Sequence, residues 1–345
     1  MVFVGERSGG GELIAILGAG SLGRLWAALL PSEDCGFLPR LFNDMSKHEF
    51  GLGGSFSRQE APPETRCEYV LVRSVPPSLA PQGFGRGFLT ASPDSGEART
   101  FVSLPWLQST GNVQLLLVTT KAGDTLSALE SWLPCIPVDT PVVLFQNGLG
   151  SQQAVAERWP ERPILVASTT EGANRPSPDV LVHAGAGDTW LGALTASAEN
   201  HTAGVAQQLA ATGLRVHAEG SILKRLWQKL VVNAGINPFT ALLDCPNGEI
   251  LDSPLYQQNI DGLCREISLL LHAETAENIA PEVLRERVET VARNTASNTS
   301  SMRADVKAGR KTEIDFINGY LVQCGKRNDI ATPVNQMLTE RVQAL

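Results

Sequence analysis

Long apolar runs are missing from this sequence. None approaches the ~20 residues needed to cross a bilayer, so a membrane role is set aside. Positive charge is in deficit: lysine and arginine total 28 against 36 aspartates and glutamates, a formal net charge of -8. Neutralising phosphates needs clustered Lys and Arg, so nucleic acid is set aside as a partner. Cysteine is sparse and unpatterned: Cys35, Cys67, Cys135, Cys245, Cys264 and Cys324 contain no C-x-x-C. That argues against a zinc site or a disulfide framework, and for packed free thiols in a reducing compartment. His48, His183, His201, His217 and His272 are equally scattered, so no metal is expected. The N-terminus lacks the form of a secretory signal, with Glu6 and Glu12 around a glycine-rich stretch, and a cytoplasmic location is predicted.

What is present is enough apolar material for a sizeable core. The chain has 345 residues, 43% hydrophobic and 19% charged, a length that suggests two domains. Leu13–Leu17 is continuously apolar and bounded by glycine, the pattern of a strand buried on both faces. Further strand-like runs cover residues 69–72, 113–119, 142–145 and 164–167, with helical segments at 125–132 and 152–158. Such alternation predicts an open, mostly parallel sheet. The stretch 74–109, rich in Pro and Gly, resists assignment. Beyond Gly220 strand signal fades and apolar residues recur at helical spacing, as in Leu223, Trp227, Leu230 and Ala234, or Ile314, Ile317, Leu321 and Cys324. The predicted boundary separates a domain at 1–220 from an all-helical one at 221–345.

Directly after the first strand stands Gly18-Ala19-Gly20-Ser21-Leu22-Gly23, followed by Leu22, Leu25, Trp26 and Leu29 at helical spacing. Glycine is common here, 32 of 345 residues, so the motif gains weight only from lying between a buried strand and an amphipathic helix. In that setting it predicts a dinucleotide site. Gly18 would make the turn, Gly20 would admit the pyrophosphate, and Gly23 would allow close packing. The helix N-terminus would offer free N–H groups to the phosphates. Asp44 lies 21 residues after Gly23, where an acid usually accepts from a ribose 2′-hydroxyl. Pro39 weakens the strand before it, and Ser46 and Lys47 are close enough to take a 2′-phosphate instead, so spacing leaves the cofactor choice open.

In the second half, Lys229, Asn233 and Asn237 are spaced by four and share one helix face. A solvated face is the ordinary explanation, yet asparagine is a poor residue for an exposed helix interior. Pro238 should end the helix after Asn237. Asn298 and Ser301, three apart, are expected on one short helical stretch. Thr312-Glu313-Ile314-Asp315 has capping-box spacing, with Thr312 as N-cap and Glu313 in the first turn. A Glu313 that only decorates the helix start is as compatible with the sequence as a catalytic one.

Taken in order, these segments resemble the ketopantoate reductase (2-dehydropantoate 2-reductase) family over nearly the whole chain from Ile14. The resemblance rests on Gly18–Gly23, Thr119-Thr120-Lys121, Gln146-Asn147-Gly148-Leu149-Gly150, Leu226–Asn233, Ile236-Asn237-Pro238, Cys245–Glu249, Asn298–Met302 and Gly309–Gly319. It implies an α/β chain with an N-terminal Rossmann-type dinucleotide-binding domain followed by the helical domain. It further implies NADPH-dependent reduction of 2-dehydropantoate to (R)-pantoate, in pantothenate and coenzyme A biosynthesis. By that resemblance Lys229 is the general acid, and Glu313 binds the substrate hydroxyl and orients Lys229. Asn233, Asn237 and Asn247 are pocket amides, while Asn298 and Ser301 hold the substrate and its carboxylate. Lys121 and Asn147 match residues near cofactor and substrate, although a strand-end lysine and a turn asparagine would look the same. Where NADP-preferring members often carry arginine, this chain has Asp44, which leaves NAD open. A related reductase of a different 2-oxo acid is the alternative. A cofactor sensor without turnover would have no need of Lys229, Glu313, Asn298 and Ser301 together. A homodimer is compatible with the sequence.

Overall fold

A computed structural model of the protein describes residues 13–18, 20–30, 35–38, 72–73, 86–91, 100–104, 113–177 and 180–345. Ala19, Asp44, Ser46 and Lys47 therefore lie outside the described residues. The strands in chain order are β1 (Leu13–Leu17), β2 (Cys35–Leu38), β3 (Val72–Arg73), β4 (Arg86–Ala91), β5 (Thr100–Leu104) and β6 (Val113–Val118). They continue with β7 (Val142–Leu144), β8 (Ile164–Thr169), β9 (Gly172–Ser177), β10 (Val180–Gly185), β11 (Asp188–Ala193) and β12 (Arg215–Ala218). Helices α1 (Ser21–Leu29), α2 (Ala122–Trp132), α3 (Ser151–Arg158) and α4 (Thr202–Ala210) intervene.

Seven strands form one sheet in the order β12-β11-β8-β7-β6-β1-β2. β1 pairs in parallel with β2 on one side and β6 on the other, and β6, β7 and β8 continue the parallel run. Among the described residues of this sheet only the β8–β11 pairing is antiparallel. The central strands are buried almost throughout, which is why they read as unbroken apolar runs rather than alternating ones. Their side chains meet those of α1 and α4 in one core, where Trp26 packs against Phe145 at 5.6 Å. Strand order reverses between β1 and β6, the place where an open α/β sheet receives its ligand. A second sheet, in the order β3-β5-β4-β10-β9, meets the strands expected from sequence only at Val72, where the run 69–72 overlaps β3.

Cα packing divides the chain into two units. The first takes the described residues up to Thr120, with Ser127–Phe145 and Trp159–Ala218. The second takes Glu219–Leu345 together with two upstream segments, Lys121–Leu126 and Gln146–Arg158, that a single cut at residue 220 does not separate. Its helices are α5 (Ile222–Leu243), α6 (Pro254–Thr275), α7 (Pro281–Asn294), α8 (Ser301–Lys307), α9 (Asn318–Arg327) and α10 (Pro333–Gln343). No helix among the described residues is long and apolar enough to cross a membrane.

α5 corrects one expectation. It does not stop at Asn237 but runs through Pro238 to Leu243. A proline inside a helix withholds the N–H that residue 234 would accept. Here Asn318 Nδ2 donates to the Ala234 carbonyl at 3.3 Å, so the orphaned acceptor is supplied from α9. The same amide group donates to Asn335 Oδ1 at 3.0 Å, and Asn335 Nδ2 in turn donates to Glu266 at 2.7 Å. Leu223, placed in the apolar stripe, is exposed, whereas Trp227, Leu230 and Ala234 are buried.

Candidate active site

The glycine loop of the first unit is locked to the end of β6. Thr119 N–H donates to Leu17 O at 2.8 Å, and its hydroxyl donates to Gly18 O at 2.6 Å. Gly18 adopts φ +111°, and a Cβ there would stand 2.6 Å from Thr120 N, so no other residue fits. A Cβ at Gly23 would come within 2.0 Å of Gly18 O. Gly20 is different: among the described residues, a Cβ there would meet nothing nearer than Thr119 O at 3.9 Å. Among the described residues nothing requires glycine at 20, and close approach of a bound group would. Ser21 and Leu22 open α1, which has no side-chain cap and no acid in its first turn. Unpaired N–H groups beside an open cradle fit a dinucleotide pyrophosphate.

The other predicted residues lie in the second unit, and several converge. Glu313 is 6% exposed. Its carboxylate accepts from the Ala122 backbone N–H at 3.1 Å and from Asn147 Nδ2 at 3.2 Å, with Lys121 Nζ at 3.7 Å. Lys121 also forms an ion pair with Asp305, whose other oxygen accepts from Arg310 Nε at 3.0 Å. Lys121 and Asn147 are thus more than a strand-end lysine and a turn residue. Both hold Glu313.

Lys229 sits midway along α5, half-buried. Burial pushes its ammonium down from 10.5 to about 8, and the Glu313 carboxylate pulls in the opposite direction. Asn233 is half-buried and Asn237 buried on the same helix. Asn247 donates through Nδ2 to Thr295 Oγ1 at 2.9 Å, while its buried Oδ1 has no partner. Its backbone N–H donates to Asn298 O at 3.0 Å, which brings the 247 and 298 segments together.

Two local expectations are corrected. Asn298 and Ser301 do not share a helix: Asn298 lies in the connection before α8, and Ser301 is its first residue. Ser300 is the N-cap, its hydroxyl accepting from Arg303 N–H at 3.1 Å. Nor does Thr312 cap a helix. A single 3-10 turn spans Ile314–Phe316 with Glu313 at its N-cap position, and α9 begins only at Asn318. Asp315, which capping-box spacing would turn back toward residue 312, instead accepts from Gln343 Nε2 at 2.5 Å. Sequence reasoning missed Asp305, four residues after Ser301, and Ser300. A buried acid in Ser-Met-Arg-Ala-Asp at helical spacing was the available signal for the former.

The chain is similar to known proteins over most of its length. The family model described as "Ketopantoate reductase PanE/ApbA" matches residues 76–196, and its "C terminal" companion matches residues 221–345. A 2-dehydropantoate 2-reductase of Vibrio cholerae is 32% identical over 334 residues, covering 96% of this chain and 97% of its own. Among solved structures, 2-dehydropantoate 2-reductase from Geobacter metallireducens GS-15 superposes with a TM-score of 0.73 at 23% identity, covering 96% of this chain and 99% of that one. A D-mandelate dehydrogenase with NADH and anilino(oxo)acetate gives 0.75 at 23% identity, with 96% and 97% covered. At that identity the two structures speak for the fold alone.

Proposed function

The chain belongs to the ketopantoate reductase family, and from that premise we propose that it reduces 2-dehydropantoate to (R)-pantoate with NADPH, Lys229 acting as general acid. The observation that carries this reading is the buried Glu313 carboxylate, held by Ala122 N–H, Asn147 and Lys121 within electrostatic reach of Lys229, whose ammonium burial pushes down to about 8. Hydride arriving at the keto carbon leaves negative charge on the carbonyl oxygen, which needs a donor there. A lysine near 8 is charged at neutral pH yet gives up its proton more readily than an ordinary one. Lys229 Nζ donates to that oxygen and is reprotonated from solvent.

Glu313 takes the substrate hydroxyl and keeps Lys229 charged, its own position fixed by Ala122 N–H, Asn147 and Lys121. Asn233, Asn237 and Asn247 supply amides to the substrate, and the partnerless Oδ1 of Asn247 is ready to accept a hydroxyl. Asn298 and Ser301 hold the carboxylate. Gly18–Gly23 holds the nucleotide, whose nicotinamide supplies the hydride when bound. In this assignment the 2′-phosphate falls to Ser46 or Lys47.

Asp44 favours a second reading, an NAD-dependent reductase of another 2-oxo acid, because an acid there suits an unphosphorylated ribose. Spectrophotometric oxidation of NADPH and NADH across a panel of 2-oxo acids separates the two. Fastest turnover with ketopantoate and NADPH is expected. Equal or better turnover with NADH overturns the cofactor assignment, and Asp44→Arg should then shift preference toward NADPH. A different 2-oxo acid turning over faster overturns the substrate assignment.

A further inference from the structure

α5 and the start of α8 are joined by a hydroxyl pair that the catalytic assignment does not use. Thr240 is fully buried, and Ser300 is nearly so. Their oxygens lie 2.7 Å apart. Thr240 Oγ1 donates to Asn237 O at 2.8 Å, which obliges Ser300 to donate to Thr240. Ser300 Oγ still accepts from Arg303 N–H. Each hydroxyl therefore gives its one proton and receives one, and the chain from Asn237 O to Arg303 N–H is complete.

A buried hydroxyl costs stability unless it is bonded, and valine would fill the same space without that requirement. Capping α8 does not explain the pair either, since several residues cap a helix and none of them needs Thr240. What the pair does fix is the docking of α8 on α5. Ser300 turns inward to Thr240, and the next residue, Ser301, is exposed. At the other end the chain closes on the carbonyl of Asn237, whose amide is assigned to the substrate.

We infer that Thr240 and Ser300 are positioning residues, a buried bridge that sets Ser301 against the Asn233–Asn237 face of α5 for substrate binding. This rests on the proposed role of Ser301 in holding the carboxylate. The bridge touches no substrate and works only through its neighbours.

The test uses the full chain and compares Thr240→Val, Thr240→Ser, Ser300→Gly and Ser301→Ala. Glycine keeps most of the N-cap's stability while deleting the bridge. Thr240→Val and Ser300→Gly should each raise the ketopantoate KM roughly three- to tenfold, the worth of one buried hydrogen bond. The NADPH KM should stay within about twofold, and Thr240→Ser should restore the ketopantoate KM. The double variant should be no worse than the poorer single one, because both delete the same bond. If the valine variant does not fold, Ser300→Gly carries the measurement. An unchanged ketopantoate KM in the folded variants, with Ser301→Ala raising it, overturns the bridge alone. Lower thermal stability without that KM change has the same meaning. If Ser301→Ala itself leaves the KM unchanged, the carboxylate assignment falls and the bridge falls with it.

Discussion

Lys229 carries the sharpest consequences. Removing a positioned general acid typically costs ~10²–10⁴-fold in rate. Lys229→Ala should lose turnover by that order while still binding nucleotide, and near-normal turnover would mean that Lys229 is not the proton donor. The protonated form is the donor, so turnover should fall as pH rises through about 8. Glu313 pulls that value up, so Glu313→Gln should move the alkaline limb to lower pH as well as slow the reaction. A limb that stays put would separate the two residues. Stability runs the other way. Between about 8 and the ordinary 10.5, the folded chain binds fewer protons at Lys229 than the unfolded chain, so stability rises with pH across that window. Below it the cost of a buried charge is present in full, and Lys229→Met should not lower the urea midpoint at pH 7. The row of Lys229, Asn233 and Asn237 was legible because asparagine is out of place in an exposed helix. The bonds that fix Glu313 were not, because Ala122, Asn147 and Glu313 are far apart in sequence and meet only through folding.

At the scale of the element, periodicity located the helices well and their ends poorly. Pro238 reads locally as a stop, and only a distant side chain, Asn318, makes it tolerable by serving the Ala234 carbonyl. The 312–315 segment likewise has the residues of a capping box but forms one 3-10 turn, with Glu313 engaged by Ala122 and Asn147. Tertiary partners overrode local chemistry in both places. The first case gives a cycle that can be measured. Asn318→Ala leaves a buried acceptor bare and should cost ~1–3 kcal/mol in urea unfolding. Pro238→Ala restores the missing backbone N–H, so the same Asn318 substitution should cost less in that background. Equal costs in the two backgrounds would show that Asn318 acts only through Asn335.

For the whole molecule, the parallel sheet and the helical half were legible because buried strands and amphipathic helices have different periods. The second sheet was not. Its strand β9 reads Gly-Ala-Asn-Arg-Pro-Ser, with neither alternation nor β-branched residues, and pairs only by virtue of β10 beside it. Nor was it legible that Lys121–Leu126 and Gln146–Arg158, inside the α/β half by sequence, would pack with the helices. The proposed division of work is that the first unit holds the nucleotide and the second does the chemistry, and the three glycines test it. A methyl group at Gly23 would stand 2.0 Å from Gly18 O, so Gly23→Ala should lose both stability and nucleotide affinity. Gly20→Ala meets nothing closer than 3.9 Å among the described residues and should unfold like the parent. On the proposed assignment the methyl would enter the space given to the pyrophosphate, so NADPH affinity should fall tenfold or more, about 1.4 kcal/mol. Nucleotide titration and urea unfolding on the same preparation decide the matter. A Gly20→Ala chain with parental NADPH affinity would place the phosphates somewhere other than this loop, whatever Lys229 proves to do.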